Sequence, residues 1–223
     1  MNPMLFMPSP RDIPDVKKLW HKLPYDKFIV KYKPQLESYT NGREFFLKHD
    51  EYTHLIICPD DLEIHGEGIE QLIEDVEKYD YQTISGICNI DESQMDTYAI
   101  QPLGSCNYKN NQVAVNYGAW YMKEKKPIIP ENNIFEVGHS GFCCQIISRE
   151  LMKKVSWRGA TRTGINMEGN FDWQFSRDCN KLGVPIMVDK RVFGYHRRTE
   201  QYDKAKIVKT GKINGYSVWI KDR

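Results

Sequence analysis

Two aspartates meet at the end of an apolar run, His54-Leu55-Ile56-Ile57-Cys58-Pro59-Asp60-Asp61. Adjacent carboxylates repel each other, and partial burial costs them hydration unless a cation sits between them. A divalent metal is the simplest such cation, and a phosphorylated substrate is the simplest reason to hold one. The apolar run reads as a buried strand, and ligands bind at the carboxyl ends of such strands in α/β proteins. In isolation an acidic turn would look the same, because Asp is common in turns.

The elements around this pair alternate. Residues 4–7 read as a strand, followed by the turn Pro8-Ser9-Pro10-Arg11, with Asp12 placed to cap a helix through Leu19 and Trp20. Residues 27–32 alternate and are β-rich, so a second strand is expected there, then a helix over 37–49 and the strand ending at Asp60-Asp61. Ile69, Leu72, Ile73 and Val76 recur at helical spacing with acids between them, and residues 83–88 form the next strand. This order predicts a largely parallel, doubly wound sheet.

Residues 91–130 are rich in Asn, Gly, Pro, Tyr and Lys, with short strand-like pieces at 112–115 and 119–122, so small antiparallel hairpins are expected. An apolar segment over 135–147 contains Gly138 and Gly141, and a short helix is expected at 149–155. A helix over 171–182 closes at Gly183, and strands at 184–188 and 192–196 lead into a basic tail.

Bulk properties narrow the class. With 223 residues, 27% of them charged, and a net charge of +1, the chain is an ordinary globular protein with no global attraction to nucleic acid or membrane. No apolar run approaches the ~20 residues of a membrane span, so no integral membrane segment is expected. The six cysteines form no CxxC pair, which points to buried thiols in a reducing cytoplasm and against a zinc site.

The second half carries its polar groups in a definite order: Gly138-His139-Ser140-Gly141, then Asn170-Phe171-Asp172-Trp173-Gln174-Phe175, then Gly183-Val184-Pro185-Ile186, then Gly194-Tyr195-His196-Arg197-Arg198. Downstream of the Asp60-Asp61 strand, this order resembles the nucleotide-sugar-dependent glycosyltransferases of the GT-A fold. Within them it is most similar to the large inverting family that includes many polysaccharide-building enzymes. The resemblance runs from about Met4 to Arg198 and rests on order and spacing, since each motif is short.

The resemblance implies a single GT-A-like, Rossmann-related α/β domain with a mostly parallel central sheet and a smaller antiparallel acceptor-side region. Residues 1–90 would form the nucleotide-sugar half, 91–200 the acceptor half and 201–223 a C-terminal tail. The implied activity is hexosyl transfer (EC 2.4), with inversion, from a nucleoside-diphosphate sugar to the hydroxyl of a glycan or other acceptor, with Mn²⁺ or Mg²⁺ as cofactor. Asp60-Asp61 matches the metal motif in a shortened form, Asp61 for the metal and Asp60 for ribose or sugar. Asp172 matches the acceptor-side acid that would serve as general base, although as the first acid of a helix it is also placed like an N-cap. Phe171 stands where the family has Glu, which makes Glu168 the reserve base.

His196 matches a histidine that completes the metal site, and Arg197 and Arg198 would clamp the leaving phosphates. Pro8, Arg11 and Arg43 fall where the family cradles the nucleotide. Lys31-Tyr32-Lys33 replaces the aspartate that reads uracil, so the base stays open. Gly138, His139 and Ser140 would shape the acceptor side, with Trp120 and Trp173 as stacking platforms.

Two other readings have definite requirements. A sugar-nucleotide nucleotidyltransferase needs a Gly-rich basic loop after the first strand, and Pro8-Ser9-Pro10-Arg11 has no glycine. A non-catalytic carbohydrate-binding module needs the aromatic platforms but not Asp61, Asp172 and His196 together.

Overall fold

In the computed structural model, residues 1–9, 13–31, 33, 35–64, 66–88, 100–101, 106–109, 112–115, 130–158, 171–197, 209–213 and 216–220 are described. The chain opens with Pro3–Ser9 (β1), Pro14–His21 (α1), Asp26–Lys31 (β2), Gln35–Lys48 (α2) and His54–Ile57 (β3). Leu62–Glu63 (β4), Gly66–Tyr79 (α3) and Thr83–Cys88 (β5) follow. Ile100–Gln101 (β6), Cys106–Lys109 (β7), Gln112–Val115 (β8), Ile134–Val137 (β9), His139–Ser140 (β10) and Gln145–Ser148 (β11) are short strands. Arg149–Lys154 (α4), Phe171–Leu182 (α5), Ile186–His196 (β12), Lys209–Ile213 (β13) and Tyr216–Ile220 (β14) complete the order.

The central sheet runs β2-β1-β3-β11-β5-β12-β4, with β9 also on β12. β1 is parallel to β2 and β3, and β5 is parallel to β12. β11 is antiparallel to both β3 and β5, so those two share a direction. Five of the eight strands therefore point the same way, in a mixed α/β, mostly parallel arrangement. Both faces are covered. Met4, Phe6, Leu55 and Ile57 pack into the core on one side; Leu5, Met7, Ile56 and Cys58 pack into the core on the other. A strand buried on both faces has few polar positions to offer, which is why β1 is apolar from Pro3 to Pro8 and β3 from Leu55 to Ile57.

Several elements depart from the sequence reading. The N-cap of α1 is Ile13, which makes no side-chain bond, rather than Asp12; Pro14 opens the helix, where its fixed φ suits the first turn and its missing N–H would have no helical partner. The apolar segment 135–147, for which no strand order is expected, supplies β9 and β11 to the central sheet, while β10 pairs with β6. β7 and β8 do form an antiparallel pair in the middle segment, and 119–122 lies outside the described residues. The two strands expected at 184–188 and 192–196 are one, β12, with a register shift between Val188 and Phe193. The charges at that irregularity satisfy one another: Arg191 Nη2 lies 2.7 Å from fully buried Asp189 and 3.3 Å from Asp75 of α3.

The five co-directional strands end at Ser9, Lys31, Ile57, Cys88 and His196, all on one edge of the sheet. α5 hands the chain directly to the start of β12 through residues 183–185, with Gly183 in the left-handed conformation at φ 66°. The helix therefore runs back along the sheet, and its first residues lie toward the edge where β12 ends. No helix among the described residues is long and apolar enough to cross a membrane.

α2 sits close on β1 because Gly42 lacks a side chain. A Cβ there would stand 2.6 Å from the ring of Phe6, which is fully buried and cannot turn away. Gly42→Ala should therefore lower stability by about 2 kcal/mol despite alanine's better helix propensity. Urea denaturation of the variant reads this directly, and an unchanged midpoint would contradict the tight contact.

Candidate active site

The end of β3 is built by two hydrogen bonds. Cys58 N–H donates to Phe6 O of β1 at 2.8 Å, which keeps the chain in the sheet, and Leu62 N–H donates to Pro59 O at 3.2 Å, which closes a turn. Asp60 and Asp61 are the two central residues of that turn. An ordinary acidic turn is solvated, but these carboxylates are 2% and 5% exposed. Ser9, the last residue of β1, donates its hydroxyl to Asp60 Oδ2 at 3.3 Å. Burial distinguishes this acidic turn from a surface turn.

The end of β12 is brought to the same place. Tyr195 pairs with Glu63 and His196 with Leu62, and Arg197 N–H donates to Asp61 O at 2.7 Å. The backbone of the histidine lies one register position from the aspartate pair; its side chain is outside the described residues. The Arg197 guanidinium meets Glu63 at 2.6 Å and lies 5.0 Å over the ring of Tyr195. The sequence reading gives Glu63 and Tyr195 no role, although their partnership follows once Leu62 faces His196.

Across the sheet edge, α5 and β10 form a second polar group. His139 is buried, and its ring stacks on the indole of Trp173 at 3.6 Å and 4°. Its Nδ1 lies 3.0 Å from Ser176 Oγ, and its Nε2 lies 3.7 Å from Asp172 Oδ2. Ser176 donates its hydroxyl to Asp172 O at 2.8 Å, a bond back along the helix. Asp172 Oδ1 accepts from Trp173 N–H at 2.9 Å. Burial holds the Asp172 carboxyl up at about 6, partly offset by that N–H bond, and burial alone pushes His139 down to about 3. The imidazole is therefore neutral, and the 3.7 Å approach is not an ion pair. Ser176 was not singled out by sequence, although its i+4 spacing from Asp172 puts both on one helix face.

The remaining candidates are dispersed. Gly138 O accepts from Asn180 Nδ2 at 3.0 Å, which ties the start of β10 to α5. Ser140 belongs to a buried chain in which it meets Ser85 Oγ and donates to Gln145 Oε1, both at 2.7 Å, while Thr83 donates to Ile146 O at 2.8 Å. Pro8 lies in β1, opposite Val30. The Arg43 guanidinium donates to Met152 O at 3.3 Å, linking α2 to α4. Arg11, Trp120, Glu168 and Arg198 lie outside the described residues.

No protein-family model matches the chain, and no curated protein matches it in sequence. Among solved structures, the fold is similar to that of A197 from STIV, with a TM-score of 0.61 and 14% identity over the whole of this chain and 96% of that one. That likeness is one of fold alone. GalNAc-T7, solved with UDP, GalNAc and Mn²⁺, has a TM-score of 0.49 and 11% identity over 87% of this chain. S. aureus TarS has a TM-score of 0.46 and 11% identity over 92% of this chain. The chain spans 43% of the GalNAc-T7 chain and 38% of the TarS chain.

The two shifted groups affect stability in opposite directions. Asp172 is held above its unfolded value of 3.8, so its contribution is present below about pH 4 and is lost as pH rises through about 6. His139 is held below its unfolded value of 6.5, so its contribution is present above that pH and is lost as pH falls toward 3. Between pH 4 and 7 the wild type should therefore lose about 2 kcal/mol relative to Asp172→Asn. His139→Phe, which keeps a ring against Trp173, should lose less stability on acidification than the wild type. Denaturation at a series of pH values checks both, and parallel curves for all three proteins would contradict the assigned shifts.

Proposed function

We propose that the protein is a metal-dependent glycosyltransferase moving a sugar from a nucleoside diphosphate to an acceptor hydroxyl, with inversion, and that residues 1–223 act as one unit. The observation that carries this reading is the buried Asp60-Asp61 turn at the end of β3, joined through Arg197 N–H to the end of β12. Two adjacent buried carboxylates offer the hard oxygen ligands that suit Mg²⁺ or Mn²⁺, with room left in the coordination shell for phosphate and water. Asp61 would hold the ion, with His196 as a further ligand, and Asp60, steadied by Ser9, would meet the ribose or sugar. Bound there, the metal supplies positive charge against the diphosphate as it leaves.

On the acceptor side, Asp172 is the base. Its carboxylate takes the proton of the acceptor hydroxyl while that oxygen bonds to the anomeric carbon. The bond from that carbon to the diphosphate breaks, and the nucleoside diphosphate departs with the bonding pair. A carboxyl held near 6 is well matched to this work, since it is mostly ionised at neutral pH yet more basic than an ordinary aspartate. Arg197 would reach the phosphates by exchanging its bond to Glu63. Pro8, Arg11, Arg43 and Arg198 complete the donor side of the proposal, with His139, Ser140, Gly138, Trp173 and Trp120 on the acceptor side.

Calorimetry with UDP, GDP and dTDP, with and without Mn²⁺, tests the donor half. At least one should bind only with the metal, and Asp61→Asn should weaken that binding at least tenfold. Absence of metal-dependent binding across all three would sink the reading. Asp172→Asn should retain the binding and lose transfer by at least a hundredfold, and the wild-type rate should rise with pH through about 6. Normal transfer by Asp172→Asn would move the base to Glu168 or leave the reaction without one.

A further inference from the structure

The polar group on α5 and β10 determines which nitrogen of His139 carries its proton. Ser176 has one hydroxyl hydrogen, and Asp172 O lies 2.8 Å from its oxygen. If that hydrogen goes to the carbonyl, Ser176 Oγ can only accept at its other side, and His139 Nδ1 donates to it across 3.0 Å. Both contacts are then good hydrogen bonds. In the opposite tautomer Ser176 would donate to Nδ1, the carbonyl bond would be lost, and Nε2–H would face Asp172 Oδ2 at 3.7 Å, too far to bond. The first arrangement makes two bonds and the second makes one.

Nε2 therefore presents a lone pair, and beside it stands Asp172 Oδ2, also an acceptor. Burial keeps the ring from taking a second proton, so the pair cannot become an ion pair at ordinary pH. Among the described residues nothing donates to Nε2. Two acceptors 3.7 Å apart with no hydrogen between them call for donors from outside. A lone hydroxyl has one hydrogen and satisfies only one of them. Two hydroxyls on neighbouring carbons satisfy both. The stacked Trp173 ring and the Ser176 bond fix the imidazole plane, so the direction of this lone pair is set before any ligand arrives.

We propose that His139 Nε2 and Asp172 Oδ2 form a two-acceptor clamp for a vicinal diol, so that the acceptor is a polyol with adjacent hydroxyls. One hydroxyl donates to His139 and the other to Asp172, and the hydroxyl on Asp172 is the one that is deprotonated. His139 is then a specificity residue, because it selects which hydroxyl reaches the base, and Ser176 is a positioning residue that holds the tautomer. The word acceptor rests on the transferase reading; the clamp itself is a property of three side chains.

Long-range ¹H–¹⁵N correlation of the labelled protein reads the tautomer directly. The wild type should show Nδ1 protonated and Nε2 bare, and Ser176→Ala should move the proton to Nε2. A wild type with Nε2 protonated overturns the proposal. Glycerol and methyl α-glucopyranoside should shift the Nε2 resonance saturably, at concentrations at least tenfold below those needed for 1-propanol. An equal response to 1-propanol overturns the clamp, and a stronger response to n-propylamine overturns the diol and assigns an amine. Asp172→Asn, which removes one of the two acceptors and keeps the His139 resonance as the readout, should abolish the diol preference. A diol response without any metal-dependent nucleotide binding would remove the transferase reading and leave the clamp. Nucleotide binding without a diol response would do the reverse.

Discussion

The backbone hydrogen bond from Arg197 N–H to Asp61 O, beside the pairing of β12 with β4, ties the end of β12 to the buried Asp60-Asp61 turn. The residues it joins are far apart in sequence, and each sits just past the end of a strand whose direction the sheet sets. β3 reaches the edge through parallel pairing with β1, and β12 reaches it through parallel pairing with β5. The antiparallel β11 lies between β3 and β5 and binds to both, so it sets the spacing across which the bond must close. The polar turn is buried where β3, apolar from Leu55 to Ile57, leaves the sheet.

The edge has two polar groups with different electrostatic character. At the end of β3 the carboxylates are close together, which suits a cation. On α5 the carboxylate stands beside a neutral ring, which suits a hydrogen-bond donor that carries no charge. The separation of the two groups on different elements lets each keep its own environment, and neither needs to shift the other's protonation.

Much of this was legible in the chain. The strand ending at Asp60-Asp61, the helix Phe171–Leu182 closed by Gly183, and the strand Thr83–Cys88 all follow from periodicity and end signals. The segment 135–147 was not legible, because a continuous apolar run states that it is buried but not in which direction it runs or beside which strand. Nor does sequence announce the left-handed residues Phe142 (φ 49°) and Cys144 (φ 54°), which bend that run without glycine. Asp189 and Arg191 lie between the two strands of the reading, and in the fold they satisfy each other at an irregularity of one strand. At the site, the types of Asp172 and His139 were readable, but their meeting depends on β10 packing against α5, which no local pattern encodes. The Ser176 spacing was readable and was informative only once His139 stood beside it.

The short link between α5 and β12 has a consequence for how the chain can change. Residues 171–197 carry the acid of one polar group and the backbone that anchors the other, on a helix and a strand joined by three residues. Adding or removing one residue within that helix would turn its earlier positions by about 100°, carrying Asp172 off the face that meets His139. The same change within the strand would exchange the two faces for every position beyond it. Lengthening is tolerated wherever chain only connects. Here the chain works as a ruler, and its length in residues is as much a part of the site as the carboxylates.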